Sequence, residues 1–163
     1  MADNPAPAAP QAGGPPPGVP LIIEGQYIKD LSFENPSGFE SLALVQRGPR
    51  VGVEINTQVR PLANSRYEVS LFIRGEAQLD DKPLFIVELT YAGLFFIQNI
   101  PEDSIQPVLM IEGPRLLFPF ARNIVADATR DGGFPPLYIN PVDFVAMYQN
   151  SLAQQAQQGQ ATA

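Results

Sequence analysis

Residues 67–97 read YEVSLFIRGEAQLDDKPLFIVELTYAGLFFI, and the alternation within them decides the fold. From Tyr67 the odd positions Val69, Leu71, Ile73 and Ala77 are apolar, while Glu68, Ser70, Arg74 and Glu76 are polar. That period of two is the mark of a long strand with one buried side. Asp80-Asp81-Lys82-Pro83 follows, a connection short enough for a hairpin. Leu84 to about Ile97 is apolar on both parities except at Glu88 and Thr90, so this last strand is expected to be buried on both faces over much of its length.

Toward the N-terminus the same period recurs. Val51, Val53 and Ile55 alternate with Gly52, Glu54 and Asn56, a half-exposed strand, and Pro61 to Ser65 reads as a turn. Tyr27, Leu31 and Phe33 share one parity, and Ile28, Asp30, Ser32 and Glu34 share the other. A first strand with an aromatic-aliphatic face and a largely acidic one is therefore expected before the loop Asn35-Pro36-Ser37-Gly38. Four consecutive strands with short connections favour an antiparallel meander.

Toward the C-terminus the period changes to that of helices. Asp103 or Ser104 is expected to cap a helix with Pro107 in its first turn, and Gly113 and Pro114 are expected to end it. A second helix runs from about Leu116, with Pro119 in its first turn, to Gly132-Gly133. Asn140-Pro141-Val142-Asp143 supplies a third start, with Asn140 as cap and Pro141 at the first helical position, followed by the stripe Phe144, Met147 and Tyr148. Strands followed by helices make an α+β class, a four-stranded antiparallel sheet with helices packed on one side. These helices can cover one face only, so leftover apolar surface on the last strand is expected to be buried by another copy of the chain or by a ligand.

The chain's 163 residues hold one domain, expected over 21–152. Residues 1–20, built mainly from Pro, Ala and Gly, cannot bury enough surface to offset their ordering entropy and read as a disordered tail; 153–163 are Gln- and Ala-rich and read likewise. The net charge is −7, and every acidic residue except Asp3 lies between Glu24 and Asp143. An acidic domain disfavours nucleic acid and anionic membrane, which require cations against phosphate, and leaves a basic protein partner open. The N-terminus lacks a basic segment and an apolar core of a signal peptide, and no later run is long and apolar enough to span a bilayer, so a soluble cytoplasmic protein without membrane insertion is expected.

Neither His nor Cys occurs. That removes the usual general base at neutral pH, the commonest metal ligand and all thiol chemistry. No G-x-x-x-x-G-K-[ST] or G-x-G-x-x-G phosphate cradle stands in the chain. Carboxylate chemistry of the glycosidase kind survives this filter, but it needs two acids facing each other in a cleft, and most surface acids are plain solvated charge. No catalytic residue, cofactor or metal is expected.

Several motifs nevertheless occur together. Tyr27-Ile28-Lys29-Asp30-Leu31-Ser32-Phe33-Glu34-Asn35-Pro36 resembles the first-strand motif of the SecB export chaperones. Leu117-Phe118-Pro119-Phe120-Ala121-Arg122 resembles their helix motif, and Gly133-Phe134-Pro135-Pro136-Leu137 with Asn140-Pro141-Val142-Asp143-Phe144 is similar to their closing segment. With Ala92-Gly93-Leu94-Phe95 these stand in family order and cover about Gln26 to Tyr148. The resemblance implies a homotetramer, a dimer of dimers, that holds unfolded precursor proteins without ATP and delivers them to the motor SecA for export. Carried over by residue, it implies SecA docking at Asp30, Glu34, Ile86 and Glu88. Subunit burial would fall at Val87, Leu89, Tyr91, Ile105 and Leu109. A client groove would involve Phe39, Val51, Val53 and Ile55, with ordinary core or loop packing as the competing assignment, while Phe118 and Phe120 are assigned to the core between helix and sheet. One departure stands out: the loop Phe39 to Arg47 has no Trp, and Arg47 occupies a place where many relatives carry an aromatic. The alternative reading is an oligomeric α+β small-ligand-binding protein or carboxylate-using hydrolase, which requires a compact pocket with paired acids; a purely structural subunit is a third.

Overall fold

The computed structural model describes residues 20–161, so the tail expected over 1–20 lies outside it apart from Pro20. Four strands form one antiparallel sheet: β1 (Leu21–Glu34), β2 (Arg50–Pro61), β3 (Arg66–Leu79) and β4 (Lys82–Ile97). Between β1 and β2 lies a short helix, α1 (Ser41–Leu44), flanked by 3-10 turns at Gly38–Glu40 and Val45–Arg47. After the sheet come α2 (Glu102–Asp131) and α3 (Phe144–Ala161). The α+β class and the four-stranded sheet are thus as expected.

The strand order is β1-β4-β3-β2, which corrects the plain meander. Only β2, β3 and β4 follow one another as hairpins. The β3–β4 turn is Asp80-Asp81 alone, both at positive φ (49° and 63°), as a two-residue turn matched to strand twist requires. From β1 the chain crosses the end of the sheet to reach the opposite edge. Polar contacts hold this crossover: the Ser37 hydroxyl donates to the Pro83 carbonyl at 3.2 Å, Asn35 Nδ2 donates to Ser41 Oγ at 3.0 Å, and Arg47 pairs with Asp80 at 3.2 Å.

The core lies between α2 and one face of the sheet. Val69, Leu71 and Ile73 of β3 stand opposite Gly93, Tyr91 and Leu89 of β4, all facing the helix. The helix approaches closely because two glycines allow it. A Cβ at Gly93 would lie 2.9 Å from Leu117 Cδ2, and one at Gly113 would lie 3.0 Å from Val69 Cγ1. One apolar side of β4 is therefore covered by α2 of the same chain, while Ile86, Leu94 and Phe96 on its other side stay partly exposed.

A single helix stands where two were expected. Its N-cap is Pro101, so Pro107, Pro114 and Pro119 all lie inside it. Each removes a backbone hydrogen bond and in isolation costs about 3 kcal/mol. The buried positions Leu109, Gly113, Leu117 and Ala121 nevertheless keep helical spacing straight through the Gly113-Pro114 pair, and packing of that face against the sheet holds the helix continuous. It ends at Asp131, and Gly133 follows at φ 93°. The next segment is tied back by Thr129, whose buried hydroxyl oxygen accepts the Leu137 N–H at 2.9 Å. Asp143, rather than Asn140, begins α3: its Oδ1 accepts the Ala146 N–H at 3.0 Å. Residues 153–161, expected as tail, continue α3 with exposed side chains through Gly159, since local hydrogen bonding prolongs a Gln- and Ala-rich helix without help from the core.

Candidate functional site

The face of the sheet turned away from the helices is formed by alternate residues of all four strands. A β-bulge decides which residues of β1 join it. Ile28 stands opposite Tyr91 and Asp30 opposite Thr90, leaving Lys29 as the extra residue. Before the bulge Tyr27 takes the open face; after it Asp30, Ser32 and Glu34 do, while Ile28, Leu31 and Phe33 turn toward the helices. The parity reading that placed Tyr27 with Leu31 and Phe33 is corrected, because one inserted residue inverts every later side chain.

The bulge gathers the residues to which docking was assigned. Ser32 stands opposite Glu88 and Glu34 opposite Ile86, with Asp30 opposite Thr90, so Asp30, Glu34, Ile86 and Glu88 share one patch on β1 and β4. Among the described residues no cation pairs with Asp30 or Glu34, whereas Arg74 of β3 donates to Glu88 and lies 3.0 Å from Glu76. Glu76 is held below the usual carboxylate range by hydrogen bonds from Gln78, the larger effect, and Arg74. The patch is thus two free carboxylates beside a third that is partly neutralised.

A second cluster lies further along the same face. Glu68 of β3 is nearly buried; the Tyr27 hydroxyl donates to its Oε2, and Lys29 Nζ lies 2.9 Å and Arg60 Nη2 3.3 Å from its Oε1. Its carboxyl sits below its ordinary value, chiefly through the Tyr27 hydrogen bond and then that of Lys29. Tyr27 is correspondingly raised, first by that same bond. Sequence reasoning missed this cluster, because only the bulge brings Tyr27 and Lys29 to the side of Glu68. The one available signal was Glu68 itself, a carboxylate within an apolar run.

Exposed apolar side chains concentrate elsewhere. Phe39, on the crossover, is 83% exposed, and Leu42 beside it is exposed as well. Val51, Val53 and Ile55 share the helix-side face of β2, the first two exposed and Ile55 half-buried against the core. Of the assigned groove residues, three therefore share one strand face, and Phe39 stands on the segment leading into it. β2 is an edge strand, so its outer row of backbone groups has no partner strand.

The assigned subunit contacts fare differently. Val87, Leu89 and Leu109 are fully buried inside this one chain, Tyr91 is nearly so, and Ile105 packs half-buried against the core. Side chains covered by their own core leave little surface for a second copy: within the single chain Val87, Leu89, Leu109 and Tyr91 belong to the core. Apolar surface on that side is offered instead by Ile28 and Leu31 of β1 and by Leu116 and Phe120 of α2. Phe118 is buried against Phe144 as assigned, but Phe120 is exposed and stacks on Tyr91 at 6.5 Å.

Among the described residues no group of three or more acidic, His or Cys side chains could hold a metal, and no helix is long and apolar enough to cross a membrane. The concavity on the open face, lined by Asn56, Gln58, Ser70, Phe72 and Thr90, contains no carboxylate pair.

Comparison with known proteins agrees with this geometry. The family model described as preprotein translocase subunit SecB matches residues 16–155. A protein-export protein SecB of Afipia carboxidovorans is 52% identical over 160 residues, covering 98% of this chain and 97% of that relative. One from Rhodopseudomonas palustris strain BisB5 is 51% identical over 151 residues, covering 91% and 96%. Among solved structures, a SecB-like chaperone of Mycobacterium tuberculosis in complex with a peptide from an antitoxin superposes with a TM-score of 0.61 at 16% identity, covering 75% of this chain and 90% of the other; at that identity the likeness concerns the fold.

Proposed function

The chain belongs to the SecB family, and from that premise we propose that it is a holding chaperone of the cytoplasm, which binds unfolded precursor proteins and passes them to SecA for export. The observation that carries this reading is the exposed apolar row Val51 and Val53 on an unpaired edge strand, with Phe39 and Leu42 on the segment that feeds it. A folded chain with a filled core has no use for such a surface in isolation. A non-native client, by contrast, presents scattered apolar side chains and unpaired backbone, which this surface matches with little sequence selectivity.

Binding of this kind needs no nucleotide, because capture and release follow the client's own folding rate and competition from the motor. In a homotetramer the surface is repeated, and a long client engaging several copies gains effective concentration at each additional contact. Ile28, Leu31, Leu116 and Phe120 are the residues suited to contacts between copies. The carboxylates Asp30, Glu34 and Glu88, around Ile86, would attract a basic segment of SecA and raise its encounter rate, an effect that salt weakens.

The test is a refolding assay combined with native mass. A tetramer that delays refolding of a slow-folding client at stoichiometric amounts is the expected result. A monomer that leaves the refolding rate unchanged would overturn the reading.

A further inference from the structure

Glu68 raises a question that the docking patch does not answer. Its side chain is only 7% exposed, yet it is reached by groups from both edges of the sheet, Tyr27 and Lys29 from β1 and Arg60 from β2. Arg60 is its direct cross-strand neighbour. Tyr27 and Lys29 are not neighbours: β1 is separated from β3 by β4, and the phenol lies opposite Ala92, whose small side chain leaves room for the crossing.

Tyr27 and Lys29 also flank and form the bulge. From Tyr27 to Leu31 every side chain of β1 is exposed, so packing does little to fix where along this stretch the extra residue sits. Beyond it, Phe33 is anchored against Phe85 and Phe134, with ring centroids 5.9 and 6.0 Å away. Suppose the extra residue moved two places toward that anchor, to Leu31. Lys29 would then stand opposite Thr90 on the open face, Asp30 would turn toward the helices, and Ser32 to Glu34 would keep their places. A cation would replace an anion in the acidic row.

We infer that Glu68 is the positioning residue of that row: by holding Lys29 from two strands away, beside the fixed Tyr27, it keeps the bulge at Lys29 and thereby turns Asp30, and not Lys29, outward beside Glu34 and Glu88. The functional meaning of this position rests on the docking reading given above. The geometry itself does not.

The chain has no cysteine, so engineered pairs report register without interference. Two pairs are introduced separately, Asp30→Cys with Thr90→Cys at the bulge, and Ser32→Cys with Glu88→Cys beyond it. Each is placed in the full chain with Glu68, with Glu68→Gln and with Glu68→Leu, and disulfide formation is followed under mild oxidation. In the Glu68→Leu background the 30–90 pair should close about tenfold more slowly, the scale of losing one charge-assisted hydrogen bond, while the 32–88 pair keeps its rate. Glu68→Gln, nearly the same shape, should fall between. Unchanged closure of both pairs overturns the inference, and so does equal slowing of both, which would make Glu68 a support for the whole strand. Binding of SecA to the cysteine-free Glu68→Leu chain is measured in parallel: slowed 30–90 closure with undiminished SecA binding keeps the register role and removes the docking one.

Discussion

The two faces of this sheet are held by different physics. On the helix side, Val69, Leu71, Ile73, Val87 and Leu89 lose all contact with solvent beneath α2, and the interaction is non-directional burial. On the open side, order comes from a few directed contacts, Tyr27, Lys29 and Arg60 on Glu68 and Arg74 between Glu76 and Glu88. Burial tolerates some imprecision, because any apolar neighbour of the right size serves. Directed contacts depend on which residue faces which, and those of Tyr27 and Lys29 on the bulge in β1. The first face makes the domain stable, and the second decides what it displays.

If that division holds, the largest effect belongs to the covered face. Leu89→Ala should destabilise the chain by about 3 kcal/mol, read from the denaturant midpoint, because it leaves a cavity under α2. A loss comparable to a surface substitution would mean that the helix does not close on β4 as described. Acid should act next, and on the open face. The Glu68 carboxyl in the folded chain lies below its ordinary value of 4.5, so its contribution is fully present above that pH and is lost as pH falls through the folded value. Glu68→Gln should therefore flatten the acid limb of stability against pH, whereas Leu89→Ala should leave the shape of that limb unchanged. Tyr27, raised above 10.0, works in the opposite direction: its contribution is present below that pH and is lost as alkali ionises it, so Tyr27→Phe should flatten the alkaline limb.

Glu88→Lys sharpens the contrast from the other side. Its ion pair with Arg74 is about one-third exposed and screened by solvent, so the loss of stability should be small beside that of Leu89→Ala. Binding to SecA should nevertheless be abolished while clients are still held; loss of both activities would mean that the docking surface has been misassigned. The smallest effect on stability is expected at Phe39, which is 83% exposed. Phe39→Ser should leave the unfolding midpoint within about 0.5 kcal/mol and yet shorten the delay imposed on a refolding client. An unaltered delay would remove Phe39 from the client surface.

Much of this was legible residue by residue. Val69, Leu71, Ile73 and Ala77 alternate with polar neighbours and are all buried, because a strand with one covered face has no other way to place them. Asp80-Asp81-Lys82-Pro83 reads as the connection, and the turn is its first two residues, with Lys82 and Pro83 already in β4. The acids Asp30, Glu34 and Glu88 do share a face. Other assignments failed for specific reasons. Parity alone puts Tyr27 on the wrong face, because a bulge carries no mark in an alternating sequence. Gly113-Pro114 reads as a stop because local signals at that pair outweigh a buried spacing that makes sense only once the sheet is present. Val87 and Leu89, which the resemblance gives to a subunit contact, lie in this chain's own core, because α2 runs unbroken across β4.

The sequence by itself determined the α+β class, the strands, a short hairpin connection after Leu79, the acidic character of the domain and the absence of His and Cys chemistry. These are properties of composition and of spacing along the chain, where neighbouring residues act on one another whatever the rest of the molecule does. Only the tertiary structure decided the order β1-β4-β3-β2, the continuity of α2 and the turn of Tyr27 to the open face. Each of these depends on partners far away in sequence, a sheet edge, a buried face and Glu68 on β3, whose influence exists only after the chain has brought them together.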